Sequence, residues 1–134
     1  MSFLAAVLAS MGAVAATMAP SASHTQITDF RACQEAIVPV GIGAGSEEDL
    51  ELSVLLGGWK SQAGTDRVSG LLRYIERHPR SKWNPSLLCN LGFELYRSGR
   101  YSRALAVWER AWELSKGETD TASRSVADRA GAEL

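Results

Sequence analysis

Cysteine and histidine are scarce in this chain, with two of each among 134 residues. Cys33 and Cys89 have no CxxC spacing. Together with His24 and His78 they are too few and too scattered to build a zinc site. A single Cys33–Cys89 disulfide requires an oxidising compartment; two unpaired thiols are the simpler expectation. A surplus of charge is lacking too, since 14 Lys and Arg stand against 15 Asp and Glu. No basic field would attract nucleic acid, so no nucleic-acid partner is expected. There is no Ser-His-Asp ordering, no HExxH and no pair of carboxylates in an apolar setting. The chain is therefore read as a non-enzyme, with no catalytic residue, no metal ligand and no cofactor site expected. What remains, 46% hydrophobic and 22% charged, is ordinary for a soluble protein of one domain.

Residues 1–25 carry no charged side chain unless His24 is protonated. Residues 3–19, FLAAVLASMGAVAATMA, are almost continuously small or apolar. One reading is a secretory signal peptide, with small-residue cleavage contexts at Ala13-Val14-Ala15 and Ser21-Ala22-Ser23. A second is a membrane anchor, since the run approaches the lower spanning limit of roughly 17 residues. A third is a disordered start. Neither Lys nor Arg precedes the run. Export would make the protein secreted or periplasmic; otherwise it is cytoplasmic. A membrane is a partner only if the run is kept as an anchor. All three readings leave residues 1–25 outside the folded core.

Residues 26–45 read as a linker. Within it, residues 29–37 have Phe30, Cys33, Ala36 and Ile37 at helical spacing, which predicts one short helical piece. Pro39 ends it, and Val38 before the proline is extended. Gly41-Ile42-Gly43-Ala44-Gly45 lacks a following GK[ST], so it reads as a flexible lead-in rather than a phosphate loop.

Helical patterning begins at Ser46, a candidate cap followed by Glu47, Glu48 and Asp49, acids that suit a helix N-terminus. Leu52, Leu55, Leu56 and Trp59 share one face. After a break at residues 62–65, with Thr65 or Asp66 as a candidate cap, Val68, Leu71, Leu72 and Ile75 form a second stripe. Arg77, His78 and Arg80 lie at its C-terminal end, where cations complement the helix dipole. Such a short pair needs a neighbour to hide its apolar faces.

The best-patterned stretch is residues 84–116. Asn84 is a candidate cap and Pro85 suits the first turn. Leu88, Leu91, Gly92 and Leu95 recur at helical spacing. A mid-helix glycine is unfavourable by about 1 kcal/mol relative to alanine, which makes sense where another helix packs directly over it. Gly99 breaks the helix. A second helix then carries Tyr101, Ala104, Leu105, Trp108, Ala111 and Trp112, and Gly117 ends it. A last helix from Thr121 or Ser123 to Glu133 would pack through Ala127, Ala130 and Gly131.

In order and spacing, Leu88, Leu91-Gly92, Leu95, Gly99, Tyr101, Ala104, Trp108 and Ala111 resemble the tetratricopeptide repeat, a helix–turn–helix unit of about 34 residues. The family's late proline is replaced by Lys116, and residues 46–80 fit the pattern more loosely. Residues 47–134 also resemble, more faintly, helical segments of large bacterial exported repeat proteins of the RHS/YD type. The resemblance implies an all-α fold: two helix pairs and a terminal helix over residues 46–134, stacked as a short α-solenoid. It also implies a protein-interaction module that takes a peptide or helix on the inner face of the first helix of each pair. By position that face would show Ser86, Cys89, Asn90, Phe93, Tyr96 and Arg97, unless Phe93 and Tyr96 are covered by the third helix or by residues 30–37. Some members clamp a C-terminal carboxylate; here only Asn90 matches, while Leu52 or Ser53 and Asp128 stand where basic residues belong. The alternative is a structural spacer, or a fragment of a larger exported repeat protein, with no ligand of its own. That alternative gains if the N-terminal segment or the last helix covers the inner face.

Overall fold

The computed structural model describes residues 22–41 and 45–134. The apolar run at residues 3–19, the candidate cleavage context Ala13-Val14-Ala15 and residues 42–44 of the glycine-rich stretch fall outside them, whereas Ala22 and Ser23 of the second context lie in the first helix, Ala22–Thr28. Among the described residues there are six α-helices and no strand. They are α1 (Ala22–Thr28), α2 (Ser46–Gly57), α3 (Gly64–Arg77), α4 (Asn84–Arg97), α5 (Tyr101–Ser115) and α6 (Thr121–Glu133), with a 3-10 turn at Trp59–Ser61. No helix among these residues is long and apolar enough to cross a membrane.

The segment expected to be a linker belongs to the core. Ile27 and Ile37 are fully buried and Val40 nearly so, while Phe30, Cys33 and Val38 pack against the same cluster. The helix expected over residues 29–37 does not form; α1 precedes it and ends at Thr28. The physical reason lies in where the backbone groups go. Thr28 Oγ1 donates to the carbonyls of His24 and Thr25, and the Arg31 guanidinium donates to those of Thr28 and Phe30, closing the end of α1. Farther on, the Glu35 and Val38 amides are bonded by side chains of α4 rather than by a preceding turn. Residues 30–40 therefore run as a strap across the helices.

Several helix caps differ from expectation, although α2, α4 and α6 begin at Ser46, Asn84 and Thr121 as expected. Gly45, not Ser46, precedes α2, and Ala63 precedes α3, neither giving a side-chain cap. Trp83 stands at the cap position of α4, and Asn84 lies inside the helix and donates to the His78 carbonyl at 2.7 Å. In α6 the cap is Asp120, whose carboxylate accepts from the Ser123 amide at 2.9 Å.

The expected apolar stripes line the core. Leu52, Leu56, Val68, Leu71, Ile75, Leu88, Leu91 and Leu95 are buried, and Leu55 and Leu72 pack against them. Trp59 is buried although α2 stops at Gly57; the 3-10 turn carries its ring inward, and Arg67 Nε donates to its carbonyl. α2 and α3 meet through side chains: Leu55 lies against Gly70, and Tyr74 and Arg77 reach α2. The most extensive helix contacts are α4 with α5 and α5 with α6. At their heart the Trp108 indole fills the notch left by Gly92, where a Cβ would come within 3.0 Å of three indole atoms. Trp108 Nε1 also donates to the Cys89 carbonyl at 3.0 Å. Gly99, at φ +77, turns the chain between α4 and α5 in a backbone region that favours glycine.

Candidate functional site

α4 lies at the centre of the molecule. Every residue from Asn84 to Phe93 is buried, so the helix has no solvent face over its first ten positions. Of the two expectations for the inner face, the covered one describes Phe93, while Tyr96 stays exposed. Ser86, Cys89, Asn90 and Phe93 do share a side of α4, but the strap and α6 lie over them.

The cover is specific. Asn90 Oδ1 accepts from the Glu35 amide at 2.9 Å, and Asn90 Nδ2 donates to the Glu35 carbonyl at 3.2 Å. One turn earlier, Ser86 Oγ accepts from the Val38 amide at 3.0 Å and donates to the Val38 carbonyl at 2.8 Å. Two polar side chains on one helix thus satisfy the donors and acceptors of two residues in a segment that bends at residues 32–35 and forms neither helix nor strand. Buried backbone groups outside helices and sheets need such partners. Val40 continues the pattern by donating to the Lys82 carbonyl at 2.7 Å. Side chains add to it: Ile37 is wholly buried, and Glu35 Oε1 lies 2.8 Å from Arg129 Nε of α6. A pocket of about 70 Å³ that opens to solvent lies between strap and helices, lined by Ala36, Cys89 and Val126 among others.

The remaining expected residues divide. Phe93 is enclosed: its ring meets Trp108 edge-on at 5.3 Å, and the Arg129 guanidinium lies 4.9 Å from its centroid. Arg97 is exposed and bonds the Gln34 side chain and Glu94. Tyr96 is 54% exposed and turns from the strap toward Tyr101, with ring centroids 4.9 Å apart. Cys89 is a buried free thiol, pushed up to about 12 first by burial and then by Glu35. Cys33, on the strap, is also free and is pushed up to about 12 by burial and then by Glu94.

Glu35, Val38 and Arg129 complete the arrangement, and helical periodicity gave no signal for the first two because the strap forms no helix. For Arg129 the sequence offered only a common i, i+4 spacing to Glu133, a pairing that the structure forms alongside the contact with Glu35. A second polar cluster sits at the other end of α4. The nearly buried Asp49 accepts from Trp83 Nε1 at 2.7 Å and has Lys82 Nζ and His24 Nδ1 each at 3.6 Å. His78 lies between Glu48 and Glu51. These contacts join α1, α2 and the start of α4. Among the described residues no group of three or more His, Cys, Asp or Glu is placed to hold a metal ion. Comparison with protein-family models, with curated proteins and with solved structures found no match to this chain.

Proposed function

We propose that this chain is a non-enzymatic protein-interaction module of tetratricopeptide type, whose α4 face grips an extended polypeptide. One observation carries the reading: Asn90 and Ser86 each bond both the amide and the carbonyl of a single residue in a segment that is neither helix nor strand. Such a grip reads backbone rather than sequence, so it suits any chain that can lie extended across the helix. Arg97 and Arg129 at its border, with Phe93 beneath Arg129, add charge and apolar area of the kind that anchors polypeptides.

A second reading, a structural unit with no ligand of its own, is supported by the source of the segment, which is this same chain. Recovery of a protein partner by the full chain separates the two. The first reading expects Asn90→Ala to lose most of the recovered partner, while Glu109→Ala, on the exposed side of α5, keeps it. Equal recovery by the two variants rejects the α4 face as the binding surface, and no recovery by the unaltered chain favours the structural unit.

A further inference from the structure

The groove on α4 is occupied, and its occupant states what chemistry it accepts. Backbone bonds hold residues 35, 38 and 40. Side chains are read at other points. Glu35 meets Arg129, Gln34 meets Arg97, Ile37 is enclosed and Val40 is nearly so. Pro39 brings no amide that would need a partner, it holds Val38 extended, and its carbonyl accepts from Ser123 Oγ at 3.4 Å.

We propose, resting on the peptide-gripping reading above, that this groove selects an extended peptide with an acidic residue, an aliphatic residue two positions later and a second aliphatic residue after a proline, and that such a peptide binds by replacing residues 34–40. Three observations support replacement. The strap has no helix or ladder of its own, so it leaves the groove without breaking one. Its hold depends on a few side-chain bonds and two enclosed aliphatic side chains, the profile of a segment that opens before the helices do. It also leaves room for a larger side chain, because the exposed Ala36 borders a pocket of about 70 Å³ that opens to solvent. The tethered strap has an effective concentration in the millimolar range. A competitor therefore needs a better fit, and a larger aliphatic side chain at the Ala36 position supplies it.

The test uses the full chain and fluorescent synthetic peptides covering residues 31–41, RACQEAIVPVG. One has the natural sequence, one carries Ala36→Leu and one carries Ile37→Asp. The Ala36→Leu peptide should bind the Ile37→Ala chain at least about tenfold more tightly than it binds the unaltered chain, because the variant's own strap is weakened. It should also outbind the natural peptide, and Asn90→Ala in the chain or Ile37→Asp in the peptide should each remove binding. Absence of saturable binding to a folded Ile37→Ala chain overturns the proposal, as does binding indifferent to Asn90→Ala. Hydrogen exchange on the unaltered chain serves if Ile37→Ala does not fold. The Glu35, Val38 and Val40 amides should then exchange at least about tenfold faster than those of Leu87 and Leu91. Equal protection means the strap opens only with α4, and it overturns the proposal. Partner recovery that depends on Asn90 without peptide binding would leave the gripping reading standing and refute only this one.

Discussion

Gly92 and Trp108 show how much one missing Cβ decides. The glycine lowers helix propensity, yet it admits the indole that ties α5 to α4 and satisfies the Cys89 carbonyl. Ala104 and Ala111, both fully buried, extend the same close approach along α5. Gly92→Ala should improve local helix propensity by about 1 kcal/mol. It also forces the indole out of its notch, an overpacking penalty of about 1–3 kcal/mol that grows if the Nε1 bond to Cys89 breaks. The net expectation is destabilisation, read as a lower urea midpoint with an unchanged slope. An unchanged or higher midpoint would mean that the indole moves aside without loss, and the notch is then not what sets the α4–α5 distance. This residue was legible in the sequence because a glycine inside a strong apolar stripe conflicts with local preference. Trp83 was not: it precedes the helix, outside any stripe, and its burial depends on an indole bond to Asp49 thirty-four residues away.

At the scale of elements, the sequence disclosed the faces that helical spacing sets and concealed what distant hydrogen bonds set. The apolar faces of α2 through α5 follow from helical spacing, and the loops from glycine. The strap carries a helical spacing over residues 29–37 that the fold does not use, and what fixes it is a set of hydrogen bonds from Asn90 and Ser86 at sequence separations of 55 and 48. The candidate site inherited that blind spot. Its six residues share α4, and the segment 30–37 was a candidate cover for Phe93 and Tyr96, but nothing in its sequence showed that it would reach Ser86 and Asn90 through its own backbone. α6 runs from Thr121, one of the two expected starting residues, to Glu133; what sequence reasoning missed is Asp120 before it, whose carboxylate caps the helix by accepting from the Ser123 amide. That bond holds the Asp120 carboxyl below its ordinary value of 3.8. A depressed folded value means that the cap's contribution is fully present above the ordinary value and lost as pH falls through the lowered one. The Ser123 amide shift, followed by NMR from about pH 5 to about pH 2, should therefore report loss of the cap at the acid end. Asp120→Asn should abolish this dependence while keeping α6 capped, since an amide oxygen accepts equally well. Persistence of the acid transition in Asp120→Asn would assign it to another group.

Over the whole molecule the strap ties together helices that pack chiefly on their neighbours in sequence, α4 with α6 being an exception. α1 packs on α2, the strap crosses to α4 and α6, and the Asp49 cluster joins α1 and α2 to the start of α4. Titration of groups enclosed at these junctions should therefore be felt as global stability. Three stand out. Cys33 on the strap and Cys89 beneath it are pushed up from 9.0 to about 12, each chiefly by burial. Tyr74, between α3 and α2, is pushed up from 10.0 to about 12, again chiefly by burial, with its hydroxyl paired to Ser81 pulling the other way. In each case the folded value lies above the unfolded one, so the folded state holds its proton longer. The associated stability is complete below about pH 9 and declines as pH rises toward about pH 12, because the unfolded chain ionises first. Urea midpoints should therefore fall above about pH 9, after any changes at lower pH have run their course. Replacing both cysteines by alanine lowers stability at every pH through lost packing, yet it should flatten the alkaline decline, leaving only the part due to Tyr74. A decline just as steep in the double variant would show that the thiols are not enclosed at neutral pH, and that the strap does not close over α4 as a packed part of the core.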